Sequence, residues 1–543
     1  MPSLNPMGGS LTATQAKHLL RRMTYRYTKT QIDAYTGQSV SAAVDALFNF
    51  DFATLTQPEP RDPDTGQPWI NSGTAPSSAE FNLRAYTVSW WLNEAVNDPT
   101  ARFKMSFFLH QNFAVHYDVR PAADLFDYMA LLRYYAKGNY KELAYRMTRS
   151  NLMMRYLNND NNNKWNPNEN YAREFLELFT IGKGPQTAPQ NYTNYTETDV
   201  QVGAELLTGW RKGDRTNPDH TDPVTGVTLA YPTHNWHVTG DKTFSTAFNS
   251  ATITGAVDDA DMHRELLDYI DMIFDQDETA RHLCRKIYRF FVGGVISPTI
   301  ETDIIGPLAT VMRNSDYDLE VTMKTLLKSQ HFYGDGAGTT NNQVVLGMMR
   351  APLDLALHTI SMFDLPIPSP ISQADEHYNL FWKRGVQVAM CEKAGMMPFQ
   401  PANVAGYGPY HQEPVYQRNW FNGSSIIARY KIPQMLIEGK PLLTWGQLGT
   451  QLDVAAFVAN GGMVANPADS ASVIAGLSSY VFGHTLDAAR LTYFENILLG
   501  NLSPINWMFE WQAYAGGNTD GGVQSALEKL FKAMLYAQEY QSM

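Results

Sequence analysis

Glu174 and Glu177 lie three residues apart in "NPNENYAREFLELFTIG", residues 166–182. Two carboxyl groups this close can do acid–base work. In a partly dry pocket the charge of one holds the proton on the other, and the pair then supplies an acid and a base at neutral pH. Two histidines can complete such a site: His110 in "FFLHQNFAVH" and His237 in "HNWHVTGDKTF". An imidazole titrates close to neutrality and can pass a proton to a bond being broken. Lys242, just after a glycine-containing turn, adds a cation that can hold an anion beside His237. Asn170 and Arg173 complete the polar strip around the glutamates and are binding candidates. The same strip also reads as the wet side of an ordinary helix, with Arg173 and Glu177 as an i,i+4 pair worth a few tenths of a kcal/mol.

The element that must position the strip is a helix over 167–181. Asn166 is a good N-cap, and Pro167 then falls at the first helical position, where its missing N–H costs nothing. Glu169 sits three after the cap, as in a capping box, and Gly182 can take the left-handed conformation that closes the helix. At about 100° per residue, Tyr171, Ala172, Phe175, Leu176, Leu178 and Phe179 form the apolar arc. Helical periodicity continues along the chain, over 12–22, 78–97, 99–115, 122–136, 196–209, 259–273, 277–293, 342–359, 485–500 and 521–540. Ser10, Ser78, Thr196 with Asp199, and Asp318 are the cap residues. Strand signals are few; the best is a small hairpin or extended loop over 226–246. The fold class is therefore mainly α, a large multi-helix assembly with one small β excursion.

Three irregular stretches interrupt it, at 53–77, 211–258 and 396–423. Loops this long in a helical protein are usually functional or disordered. The third is too aromatic for disorder, and its Tyr407, Tyr410 and Trp420 are candidates for a binding surface. The expected organisation is a main helical domain over 1–460 and a C-terminal helical segment over 461–543 packed on it.

Composition narrows the function. The net charge is −12 and no large lysine or arginine cluster exists, so nucleic acid and anionic membrane are poor partners. Two cysteines, Cys284 and Cys391, make no disulfide scaffold, and each sits in an apolar helical stretch. The start "MPSLNPMGGSLTATQ" has neither a basic n-region nor an apolar h-region, and no run approaches a membrane span, so the reading is cytoplasmic. No P-loop, Rossmann fingerprint, GxSxG or HExxH stands in a credible context, and no nucleotide cofactor is expected. The run 158–163, "NNDNNN", has oxygen ligands that suit calcium, but it lacks the EF-hand order and reads more simply as an Asx-turn loop.

Further residues carry a resemblance. "HLLRR" at 18–22, "FFLHQNFAVH" at 107–116, "NENYAREFLELFTIG" from Asn168, "YTETDVQVGAELLTGW" at 195–210 and "HVTGDKTF" at 237–244 occur in order. "PFQPANVAGY" and "NWFNGSSIIAR" follow. In this set and order the chain resembles the bacterial domain-of-unknown-function 1800 family, from about His18 to Met543. Two positions depart from the pattern: Asn112 stands where a second histidine is frequent, and Phe179 where some members have histidine. The resemblance implies a mainly helical bacterial protein. It also implies company, since members often accompany an exported phosphatase-like protein of the domain-of-unknown-function 1501 family.

Three functions follow. The first is a non-catalytic partner or scaffold, co-exported to the periplasm or cell surface with that phosphatase-like protein. The second is a hydrolase or lyase acting on an extracellular glycan or other polymer through Glu174, Glu177, His110 and His237. The third, with least support, is a metal-dependent enzyme using His110 and His237.

Overall fold

The computed structural model describes residues 3–51, 59–334, 347–439, 451–518 and 522–543. Residues 53–58 of the first irregular stretch, 342–346 of the expected helix over 342–359, and 521 at the start of the last expected helix lie outside the described residues.

The architecture is mainly α-helical, and among the described residues the β structure is confined to two-stranded ribbons. The helix Arg102–Asn112 runs through the centre and is buried along nearly its whole length, from Phe103 to Asn112. A helix with no wet stripe has to sit inside the assembly. Phe399 meets Trp91 and Phe107 edge to face there, at 4.9 and 5.7 Å, and Trp91 and Phe107 tilt against each other at 5.9 Å. The helix Glu80–Asn97 packs along the wide π-type helix Glu376–Cys391, and Gln387 ties them by donating to Ser89 Oγ at 2.9 Å. The C-terminal helices share this interior. The helix Gly522–Tyr536 packs on Gly423–Glu438, and Tyr480 stacks on Tyr27 from the N-terminal part of the chain.

Several helix ends follow the sequence and others do not. Thr196 and Asp199 form the expected capping box, and Asp318 caps its helix through Val321 N at 2.9 Å. The first helix, Ala13–Met23, is capped by Thr12 rather than Ser10. Ser78 is not the cap: its N–H donates to Asp62, and the helix Glu80–Asn97 starts two residues beyond it, with Ala79 at the cap position.

The β excursion differs from expectation. Residues 226–246 do not pair among themselves as one hairpin. Tyr231–Pro232 pairs with Trp210–Arg211, and Lys242–Thr243 pairs with Thr252–Ile253, both antiparallel. A third ribbon joins Gln186–Ala188 to Asn191–Tyr192. Strands of two residues carry too little alternation to fix their partner, so tertiary packing chooses it.

Candidate acid–base site

The hallmark helix starts at Glu169, two residues later than its sequence indicates. Asn168 is the cap, accepting from Asn170 N at 3.0 Å, while Asn166 closes a tight turn on Asn163. The regular helix ends at Glu174 and widens into a π turn, Phe175–Phe179. π turns are rare and concentrate at functional sites. Tyr171, Phe175 and Phe179 are fully buried as the apolar arc requires, and Leu178 is partly buried. Tyr171 anchors the arc by donating to Thr148 Oγ1 at 2.9 Å. Gly182 takes φ +74° and donates to Leu176 O at 2.9 Å, closing the segment as its sequence predicts. The Leu178 carbonyl is thereby released from an intrahelical partner, and Lys286 Nζ donates to it.

The two glutamates sit in different surroundings. Glu177 Oε1 pairs with Lys183 Nζ at 2.5 Å, and its Oε2 accepts from Tyr195 OH at 3.2 Å. Glu174 is half-buried, and among the described residues it has neither a hydrogen bond nor an ion pair. Loss of solvent raises its pKa first, and the charge of Glu177 adds to this; Lys183 and Arg173 pull the other way, leaving it at about 7. Arg173 does not pair with Glu177. It forms a two-pronged contact with Glu197, at 2.8 and 2.7 Å, and a second with Glu169 at 2.9 Å. That geometry clamps this helix to Glu197–Leu206. Asn170 is exposed.

A second group of basic side chains borders the π turn from the helix Asp277–Phe291. His282, Lys286 and Arg289 recur at helical spacing on one face. Burial and then Arg289 lower the Lys286 pKa to about 7. His282 packs so tightly that a Cβ on Gly182 would lie 2.5 Å from its Nδ1. His411 joins them from the third irregular stretch, its imidazole held below its ordinary pKa by burial, Lys286 and Arg289. Lys183, Tyr195, His282 and Lys286 were not picked out from sequence. The signal available was the i,i+4 spacing of His282 and Lys286 in "ARHLCRKIYRFFV".

The remaining candidates do not gather at this site. His110 is completely buried; Tyr128 gives its proton to Phe113 O at 2.7 Å, so His110 Nδ1–H donates to Tyr128 at 2.8 Å. Burial holds that imidazole at a pKa of about 3. Among the described residues no hydrogen bond or ion pair joins it to Glu174. His237 and Lys242 are joined to Glu265 at 2.7 and 2.5 Å, and His237 Nδ1 meets Thr208 O at 2.9 Å. All three side chains are shut off from solvent, so Lys242 has no free face for an anion. Among the described residues no hydrogen bond or ion pair joins this triad to Glu174.

The expected aromatic contact surface is also corrected. Tyr407, Tyr410 and Trp420 are core residues, buried against Phe107 and Phe290 and against each other. Tyr407 OH donates inward to Met397 O at 2.6 Å. Trp165 and Trp236 are among the aromatics that do face solvent. Their rings meet edge to face at 5.2 Å, just before the hallmark helix.

Among the described residues no cluster of His, Cys, Asp and Glu is arranged to hold a metal ion, and no helix is long and apolar enough to cross a membrane. The Asn-rich loop is knit to itself: Asn162 donates to Asn159 Oδ1 at 3.1 Å and to Ala204 O at 2.9 Å. Both cysteines are buried free thiols, and burial pushes their pKa up.

Fold and site together define a mainly helical protein with paired glutamates where a helix runs into a π turn bordered by basic groups. The family model described as "Protein of unknown function (DUF1800)" matches residues 18–535, and the chain belongs to that family. No curated protein and no solved structure matches it.

Proposed function

We propose that the π turn is an acid–base centre and that the chain cleaves a polymer, a glycan being the favoured class, by a hydrolase- or lyase-type reaction. One observation carries this reading: a partner-free, half-buried carboxyl with a pKa of about 7 beside a second carboxylate. Glu174 is poised to give or take a proton at neutral pH, while Lys183 and Tyr195 hold Glu177 in place. The solvent-facing Trp165 and Trp236 offer flat apolar faces of the kind sugar rings stack on. His110 and His237 have no direct part in this reading, since both are sealed in the core. The test is a reducing-end and unsaturation assay on a panel of neutral and acidic bacterial polysaccharides. Glu174→Gln should lower the turnover of any substrate found by roughly a hundredfold or more. A variant that folds and turns over at the wild-type rate sinks the reading.

A second reading rests on a different surface. On the helix Pro504–Ala515, Ile505 and Phe509 lie one turn apart and are 55% and 58% exposed, with Leu502 at 57% nearby. Such an apolar face favours a protein partner, and the exported phosphatase-like protein of the 1501 family is the one proposed. Co-export with it would carry the chain to the periplasm or cell surface. Co-purification of the two proteins, lost with Ile505→Asp and Phe509→Asp, is the expected result; full retention removes this face as the interface.

A further inference from the structure

The motif "HLLRR" plays no part in the π-turn site, yet its charged residues are buried. Lys17, His18, Arg21 and Arg22 are all at most 5% exposed. Two distant arginines join them in the interior, Arg350 and Arg429, both with no exposed surface. Arg429 is satisfied: it donates to Arg350 O, with Nη1 at 3.1 Å, and to Trp420 O at 3.4 Å. Arg22 donates to Met543 O at 2.9 Å and to Met348 Sδ.

Arg350 and Arg21 are different. Arg350 lies with its guanidinium carbon 4.9 Å over the ring of Tyr540, whose hydroxyl is a polar side-chain neighbour, and among the described residues none of its three side-chain nitrogens makes a well-aligned hydrogen bond. Arg21 lies 4.8 Å over the Tyr27 ring; only Nη2 is used, on Val481 O at 2.8 Å, and Nε and Nη1 are bare. The two rings bring these groups to His358: the Tyr27 ring lies 5.7 Å from the His358 imidazole, and Tyr540 OH meets the hydroxyl of the adjacent Thr359 at 2.5 Å. His358 donates from Nε2 to Thr24 O at 2.8 Å, which leaves its Nδ1 as a bare acceptor in the same place. Of the nearby carboxylates, Asp354 pairs with Lys104 through Oδ1 and keeps Oδ2 without a hydrogen bond, and Glu539 pairs with Arg490 at 2.8 Å. The single Asp354 carboxylate is shared by Lys104, Arg22, Arg350 and Arg429, so buried positive charge is in surplus, and bare donors on Arg350 and Arg21 add to the cost.

The geometry points to an enclosed binding site for a small inorganic oxyanion between Arg21, Arg350 and His358. A planar guanidinium matches two oxygens of such an ion at once. The bare His358 Nδ1 can accept from a protonated oxygen, which selects hydrogen phosphate over sulfate or a halide. The ion would join the N-terminal helix to the segments around Arg350 and Tyr540, and so tie the two ends of the described chain into one core. The inference is independent of the π-turn chemistry.

Because the site is closed, the ion should stay with the folded protein through desalting into buffer free of phosphate, sulfate and chloride. Acid precipitation of the full chain, followed by ion chromatography of the supernatant, should then release phosphate stoichiometrically. Release of no anion, or of a halide instead, overturns the assignment. Arg350→Met should release none. Wild type refolded from denaturant in phosphate should melt higher than wild type refolded in chloride of equal ionic strength, and this gap should vanish in Arg350→Met. A variant that keeps the bound phosphate also overturns it. If Arg350→Met does not fold, the wild-type release measurement decides alone.

Discussion

Glu177 is locked to Lys183 at 2.5 Å, and its charge helps hold the neighbouring Glu174 carboxyl at a pKa of about 7. The two glutamates therefore differ by surroundings, not by chemistry. Changing one partner should retune the other. Glu177→Gln removes a charge that raises the Glu174 pKa, so that pKa should fall. Lys183→Met removes a charge that lowers it, so it should rise. Carbon-13 titration of the Glu174 carboxyl reads both shifts; no movement in either variant would mean that the charges are screened.

The same carboxyl sets a pH window for stability. Its folded pKa, about 7, is raised above the ordinary 4.5. Between those values the folded state binds more protons at this group than the unfolded chain does. Its contribution therefore favours the fold below the window and is lost as pH rises through it. Melting temperature should fall less steeply across that range in Glu174→Gln than in wild type. Parallel profiles would remove Glu174 as a source of the slope.

Lys286 is shifted in the opposite sense for a base. Burial brings its pKa down to about 7, so at mildly alkaline pH it is largely neutral while ordinary lysines are protonated. It should react first with a limiting amount of an amine-acylating reagent, as read by peptide mass spectrometry. Labelling of surface lysines ahead of it would contradict the shift.

How much of this is visible in the chain depends on whether the cause is local. The capping box of Thr196 and Asp199 and the left-handed Gly182 are local, and both appear where the sequence puts them. The π turn is not local: it comes with Lys286 taking the Leu178 carbonyl from more than a hundred residues away. The helix start moved for a local reason that was misweighted, since Asn166 serves a turn with Asn163 and Asn168 then caps. Aromatic density around Tyr407 and Trp420 looks the same in a sequence whether it covers a partner or fills a core, and here it fills the core. The strip itself was ambiguous for a related reason: Arg173 turned out to be a clamp on Glu197, and Glu174 the group left free.

Gly182 carries two constraints that separate variants can resolve. Its φ of +74° costs any L-residue about 1 kcal/mol, and His282 fills the space a Cβ needs. Gly182→Ala should therefore destabilise by clearly more than the backbone cost alone. Adding His282→Ala should recover the excess and leave the backbone part. A denaturant series on the two single variants and the double gives the coupling; strict additivity would show that His282 does not press on this position.

Trp165 and Trp236 separate a substrate platform from a structural role. Trp165 is 67% exposed and Trp236 42%, with Lys164 and Arg211 against their rings at 5.0 and 4.2 Å. Exposed side chains of this kind contribute little to folding, so Trp165→Ala should shift stability by no more than about 0.5 kcal/mol. If the rings stack on a polymer, removing one should weaken binding of a long substrate through KM, while Glu174 chemistry and hence kcat stay near wild type. Short oligomers that do not reach the platform should be insensitive. A loss confined to kcat, or an equal loss on short and long substrates, would place the indoles outside the binding path. A large stability loss would assign Trp165 to packing against Trp236 instead.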